Sequence, residues 1–270
     1  MSTNQFFPGH RIQASMTGNQ LLCTSGLSEA KRILFENGVV LINNFPHDPE
    51  MLLEVGRAFG TLETVRPLDH RLDSFQEIRL QSTVKGKGIQ GGGTYWHADS
   101  PWYDPPASAT LLFCELAPAS GGRTLFVDMR RFLEELNDEL REFVSNAVGQ
   151  YPCKDVLSAE LSAMGIVDKE LMMQMNNIQR PLVRTHPKTG TSALYLNEKW
   201  LQGICDERQD TMNKIRSLYK ILDSYKNIQF HQWTRNDLLI WDNCNVSHKA
   251  LPTDEGSDKT TWRAIVKEYH

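Results

Sequence analysis

The sequence predicts an α+β fold with a mainly β core, a jelly-roll-like barrel with flanking helices, built as one domain over residues 1–270. Three observations lead there. Short strand-like runs dominate the chain beyond its first quarter, and turn chemistry separates them. Only a few stretches carry the apolar stripe of a helix. No linker composition divides the chain. Residues 1–25 read as an N-terminal extension, and 150–179, with Met172, Met173 and Met175, as either a core helix or a lid.

The elements follow in order. Ser28 is placed to cap a helix through Asn37, which Gly38 ends. Val39–Phe45 is a short apolar strand. Asp48 is placed to cap a second helix with Met51, Leu52, Val55 and Phe59 on one face and Gly60 at its end. Strand signals follow at 77–83, 109–116, 124–128, 181–185, 193–197, 228–233, 238–241 and 263–269. Ser120-Gly121-Gly122 and Pro187-Lys188-Thr189-Gly190 mark turns. Two long helices interrupt the strands. One runs from Met129 to Val148 with Phe132, Leu136, Leu140 and Phe143 in a stripe; the other spans Arg208–Tyr225.

Composition narrows the function. The net charge of -4 supplies no basic surface for a phosphate backbone, so nucleic acid is not the expected partner. The five cysteines are scattered and form no Cys-x-x-Cys pair, which fits a reducing compartment. The N-terminus lacks a signal-peptide profile, and no apolar run approaches the ~18–20 residues a bilayer span needs. A cytoplasmic protein without membrane contact is expected.

The chemistry begins at Gly91-Gly92-Gly93-Thr94-Tyr95-Trp96-His97-Ala98-Asp99. No Gly-Lys-Ser/Thr follows the glycines, so they are no phosphate cradle. In extended backbone, residues i and i+2 point to one side, so His97 and Asp99 can aim at one ion. By itself, His-x-Asp is a pattern that chance produces often. Among the eight histidines, His10, His47 and His270 suit a surface reading, and His231 suits a satisfied, half-buried one. His248 differs, because it follows the buried-strand run Leu238–Asp242 across a turn, where a ligand is held rigidly. Two histidines and one carboxylate leave coordination positions open, as non-haem iron(II) oxygenases require, whereas structural zinc closes its shell with four protein ligands. Alternation puts Arg263, Ile265 and Lys267 on one strand face. Two cations on an inward face need an anion; on an outward face they are simply solvated. An arginine fork suits a carboxylate.

The ordered set His97-x-Asp99, Thr124, His248 and Arg263 resembles the TauD/TfdA (taurine dioxygenase) family. Trp96-His97-Ala98-Asp99, Gly121-Gly122-Arg123-Thr124, Arg180–Pro187 and Trp241-Asp242-Asn243 resemble its recurrent segments, over roughly residues 30 to 268. The resemblance implies a double-stranded β-helix that uses Fe(II), 2-oxoglutarate and O2 and releases succinate and CO2. It assigns His97, Asp99 and His248 to iron, and Thr124 and Arg263 to the far carboxylate of 2-oxoglutarate. It also implies a homo-oligomer, dimer or tetramer.

Three departures stand out. The spacing from His248 to Arg263 is longer than in typical members, through a polar loop from Thr253 to Lys259. Cys244 stands where the family often has arginine, and Lys267 where sulfonate-oxidising members carry a second arginine. Taurine is therefore not carried over as substrate. The presence of Asp99 favours hydroxylation, desaturation or a related oxygenation over halogenation. Tyr95, Ser100, Trp102 and Tyr103 flank the metal segment, and with His70 and Lys267 they are the candidate substrate contacts. A small polar, anionic metabolite is the expected substrate, and secondary-metabolite tailoring is as compatible as nutrient scavenging. Two alternatives stay open: a metal hydrolase or lyase using the same three ligands, which would need neither Thr124 nor Arg263, and a non-catalytic cupin-like binding protein.

Overall fold

Val39–Asn43 and Leu238–Asp242 are nearly unbroken apolar runs, which is how strands read when both faces of a sheet are covered. They are central in the larger of two main sheets. The computed structural model describes residues 10–11, 14–23, 25–65, 70–90, 92–163, 169–174, 176–205 and 210–270. Within these, the larger sheet has eight strands. Its order is Ser15–Thr17, Val39–Asn43, Leu238–Asp242, Ala109–Leu116, Thr260–Tyr269, Phe75–Ser82 and Arg71–Leu72, with Gly60–Leu62 also pairing to Thr260–Tyr269. The smaller sheet has four, in the order His10–Arg11, Gln229–His231, Thr124–Asp128 and Val246–Ala250.

Period-two alternation sorts the side chains. Ala109, Leu111 and Phe113 point to one face of the large sheet and pack with Leu34 and Phe59 of the helices Gly26–Asn37 and Pro49–Phe59. Leu112 and Cys114 point the other way, where Leu239 and Trp241 meet Phe126 and Val246 of the small sheet. Burying each such Leu, Val or Phe contributes about 1.5–3 kcal/mol. The same alternation along Thr260–Tyr269 sends Trp262, Ala264 and Val266 to the helix-covered face. Arg263 and Lys267 are left facing the space between the sheets.

Asp48 caps the Pro49–Phe59 helix by accepting hydrogen bonds from the Glu50 and Met51 amides. Gly38, at φ 78°, closes Gly26–Asn37 in the left-handed conformation that glycine adopts without strain. Four sequence expectations shift. Ser28 lies inside that helix, which starts at Gly26 after Ser25. The helix expected over 129–148 is two, Met129–Glu134 and Asp138–Asn146. The Asn137 side chain accepts the Leu140 amide and starts a new helix, and Val148 already belongs to a strand. The last strand begins at Thr260, upstream of Arg263. The strand expected over 181–185 is split into Ile178–Pro181 and Val183–Thr185.

Between Val148–Tyr151 and its partner Ile178–Pro181 lie the helices Cys153–Ala163 and Lys169–Gln174. Met172 packs on the core while Met173 is exposed. Met175, Arg208 and the first nine residues lie outside the described residues. No described helix is long and apolar enough to cross a membrane.

Candidate active site

His97 and His248 are cross-strand partners. The His97 amide donates to the His248 carbonyl at 3.0 Å and the His248 amide to the His97 carbonyl at 2.9 Å, which brings the ring centroids to 4.1 Å. His248 sits on Val246–Ala250, a strand the sequence reading missed because its Ser-His-Lys centre is polar. The segment around His97 is no regular strand. It makes only this bridge, yet the bridge is enough to hold His97 and Asp99 on one side. Gly93 belongs to the arrangement: a Cβ there would come within 2.9 Å of the His97 ring, and its φ of 68° disfavours any side chain.

His97, Asp99 and His248 are buried, and their ligand atoms all lie within 4.8 Å of one another. His248 Nε2 is 3.5 Å and His97 Nε2 4.0 Å from the Asp99 carboxylate. His97 Nδ1 bonds the Tyr95 carbonyl at 2.8 Å, which puts the proton on Nδ1 and leaves the Nε2 lone pair facing the carboxylate. Burial pushes the His248 imidazole down to about 3 and lowers His97 too, so both rings are neutral at pH 7. Burial alone would raise Asp99, but Arg263 above all, then His248, His97 and the Thr110 hydrogen bond, hold it well below the usual carboxylate range. Two neutral imidazoles and one ionised carboxylate form a donor set that fits a divalent metal without first losing a proton.

A closed hydrogen-bond loop fixes Asp99. The Thr110 hydroxyl donates to Asp99 Oδ2 at 2.7 Å and accepts from Asn243 Nδ2 at 3.0 Å. Asn243 Oδ1 accepts from the Asp99 amide at 3.1 Å and from the Trp241 indole at 3.2 Å. Thr110 comes from the large sheet and Asn243 from the turn before Val246–Ala250, so the loop ties the carboxylate to both sheets.

The triad opens into a cavity of about 880 Å³. Every residue singled out from the sequence reaches its wall: Thr124, Arg263, His70, Tyr95, Trp102 and Lys267. Arg263, expected at the far carboxylate of a co-substrate, donates to Asp99 Oδ1 at 3.0 Å. Lys267 lies over the Tyr103 ring at 4.6 Å. Tyr103 and Ser100 both donate to Glu63, a buried acid in the wall that the sequence reading did not single out. Arg79 is a further unforeseen cation there, directly across the strand pair from Arg263. Buried Arg180 donates to the Pro101 and Tyr103 carbonyls at 3.0 and 2.8 Å and so braces the wall segment that follows Asp99.

A two-histidine, one-carboxylate centre set between two facing sheets and open to a ligand-sized cavity has the layout of the non-haem oxygenase class. Comparison with known proteins is more specific. The profile of the "Taurine catabolism dioxygenase TauD, TfdA family" matches residues 5–265. The chain belongs to this family. It is 25% identical over 257 residues to an alpha-ketoglutarate-dependent sulfonate dioxygenase of Saccharomyces cerevisiae; the match covers 89% of this chain and 61% of the yeast protein. It is 24% identical over 236 residues to the (S)-phenoxypropionate/alpha-ketoglutarate-dioxygenase of Sphingobium herbicidovorans, covering 80% of this chain and 77% of that protein. A taurine dioxygenase structure from Burkholderia xenovorans shares the fold, with a TM-score of 0.76, 20% identity, and coverage of 96% of this chain and 87% of that one.

Proposed function

We propose that the chain is an Fe(II)- and 2-oxoglutarate-dependent oxygenase that oxidises a C–H bond of a small organic anion and releases succinate and CO2. The observation that carries this reading is the triad. Two neutral imidazoles and one ionised carboxylate are fixed from both sheets and face a cavity lined by cations. The two facing sheets support reading the core as a double-stranded β-helix, and the apolar clusters shared between them support one domain.

His97, Asp99 and His248 would hold the iron, which when bound couples oxidative decarboxylation of the keto acid to oxidation of the substrate. The chain's own residues do the rest. Thr110 and Asn243 orient the carboxylate ligand, and the Tyr95 carbonyl orients His97. The Thr124 hydroxyl meets the far carboxylate of 2-oxoglutarate. On the other side of the triad, Lys267, Arg79 and His70 supply charge and donors for a substrate anion, and Tyr95 and Trp102 supply ring surfaces. The relatives named for sulfonate and phenoxypropionate act on organic anions, which supports the same substrate class here.

The test is an anaerobic optical titration of metal-free protein with iron(II) and then 2-oxoglutarate. A visible charge-transfer band that needs both additions, and is lost in His97→Ala, is the expected result. Iron binding without any band on adding 2-oxoglutarate would overturn the reading in favour of a hydrolase, lyase or binding protein using the same ligands.

A further inference from the structure

The last strand, Thr260–Tyr269, together with the residue just before it works as a ruler across the cavity. Lys259, Thr261, Arg263 and Lys267 all line the cavity, the two lysines flanking Arg263 at four residues on either side. Four residues of extended chain span about 13 Å. Arg263 marks the metal end of this scale, because its guanidinium is 3.0 Å from the Asp99 carboxylate. A cation in contact with a metal ligand is badly placed for the distant end of a five-carbon diacid. When the keto-acid end of that diacid is at the metal, its other carboxylate lies three carbon–carbon bonds further on.

Lys259 has the opposite character. Its ammonium donates to the Gly122 carbonyl at 3.0 Å and lies 4.6 Å over the Trp233 ring. No acidic side chain among the described residues forms an ion pair with it. Burial pushes it down to about 8, a measure of how far it is removed from water without a compensating anion. A desolvated cation facing a cavity is an unfavourable arrangement until an anion meets it.

Thr124 is on the same patch. Its hydroxyl oxygen accepts from the Trp233 indole N–H at 3.0 Å, which leaves the hydroxyl proton to be donated elsewhere. One buried indole therefore orients both groups, the hydroxyl through its N–H and the ammonium over its face. His231, whose ring meets the Trp233 ring edge-to-face at 4.8 Å, pairs through Nε2 with Asp237 at 3.0 Å.

We propose that Lys259 and the Thr124 hydroxyl, set in place by Trp233, form the subsite for the far carboxylate of 2-oxoglutarate, and that Arg263 serves Asp99 and the substrate side of the cavity. The proposal rests on the 2-oxoglutarate reading above. It replaces the arginine expected from the sequence with a lysine four residues upstream, at the end of the polar loop that separates His248 from Arg263. A lysine offers one ammonium and no fork, so the carboxylate is held at a point and needs the threonine as second donor.

The experiment compares two ligands on the iron(II)-loaded protein without oxygen, by calorimetry and the charge-transfer band. 2-Oxoglutarate carries the far carboxylate; 2-oxobutanoate has the same keto-acid end without it. In the wild type 2-oxoglutarate binds tighter. Lys259→Met weakens 2-oxoglutarate about tenfold to a hundredfold and leaves 2-oxobutanoate unchanged, because a charge-assisted hydrogen bond is lost at one end only. Lys259→Arg restores most of the difference, and Arg263→Met preserves it. Should Lys259→Met not fold, Lys259→Gln, which keeps a polar tip for Gly122, carries the same comparison. A difference that survives loss of Lys259 and collapses in Arg263→Met would put the far carboxylate on Arg263 and overturn the proposal. Equal binding of the two ligands by the wild type would also overturn it. A wild type that binds iron but neither keto acid would instead remove the co-substrate reading itself.

Discussion

Among the described residues two clusters carry metal-ligand side chains, and only one of the two has the makings of a metal site. His97, Asp99 and His248 form the first; His186, Asp242 and Cys244 form the second; all six are buried. In the second, His186 Nε2 is 2.9 Å from Asp242 Oδ2, while its Nδ1 accepts the Lys188 and Thr189 amides of the Pro187–Gly190 turn. Asp242 also accepts from the Cys244 amide at 2.9 Å and the Asn245 side chain at 2.8 Å. Burial pushes the Cys244 thiol far up, so it stays protonated. Both ring nitrogens of His186 and both carboxylate oxygens of Asp242 are committed to the protein, and none of the three residues lines the cavity. The first cluster spends its hydrogen bonds on orientation and keeps both Nε2 atoms turned toward one carboxylate at the cavity wall. Residue type does not separate ligand from scaffold; the bonding capacity left over does.

The strongest way to break this contrast is to remove one residue from each cluster. Asp99→Ala or His97→Ala is expected to lower iron(II) affinity by more than the ~10–100-fold of an outer-sphere change. Chemical unfolding of metal-free His97→Ala should move little, because a neutral polar ring leaves a buried site at the cavity wall, whereas Asp99→Ala should also destabilise the fold, because it leaves the partly buried Arg263 guanidinium without its carboxylate. His186→Ala does the reverse. It strips a partner from a buried carboxylate and should cost about 3–5 kcal/mol in denaturant unfolding, with metal affinity of the folded fraction unchanged. Metal loss in His186→Ala, measured where the protein is still folded, would erase the distinction.

Thr110→Val sharpens the contrast by leaving the three ligands intact. Asp99 loses its shortest hydrogen bond and Asn243 loses its acceptor. Iron(II) affinity should fall about 10–100-fold. The optical band should persist at saturating metal, which separates an orienting role from a ligand's role.

The same criterion explains what was legible in the sequence. His97, Asp99 and His248 carry a spacing and a strand context, and the structure brings them together. Lys267 and Arg263 were legible as one face of a strand, because alternation is a local rule. Lys259 immediately precedes that strand, which begins at Thr260, and was missed because it read as the end of the polar loop Thr253–Lys259. The roles of Asn243, Thr110 and Trp233 were not legible, although Asn243 stood in the Trp241-Asp242-Asn243 segment that carried the resemblance. Their roles arise from contacts between residues more than a hundred positions apart, such as Asn243 with Thr110 and Trp233 with Thr124, and no local pattern encodes them. The single helix expected over 129–148 failed for a local cause, since its apolar stripe continues through Leu136 while Asn137 restarts the backbone.

The smallest expected effect concerns pH, and it extends the contrast to Lys259, the one group in this set whose missing partner would be a co-substrate. Its ammonium titrates at about 8 in the folded protein, against 10.5 for an unhindered lysine. Between those values the unfolded chain binds more protons at this residue than the folded one does. Stability from this group therefore rises as pH rises from 8 to 10.5, and the penalty of the buried charge is fully present below 8. Affinity for 2-oxoglutarate should run the other way. An anion needs the charged form, so its dissociation constant should be flat below pH 8 and rise up to about tenfold per pH unit above it. Calorimetry with Mn(II) in place of iron, from pH 7 to 9.5, reads both limbs. Lys259→Arg should flatten the profile, because guanidinium does not titrate in that range, and 2-oxobutanoate should show no such rise in either protein. A 2-oxoglutarate profile in the wild type that stays flat to pH 9.5 would mean that the cation under the far carboxylate is an arginine, and Arg263 would then be recovered for the role.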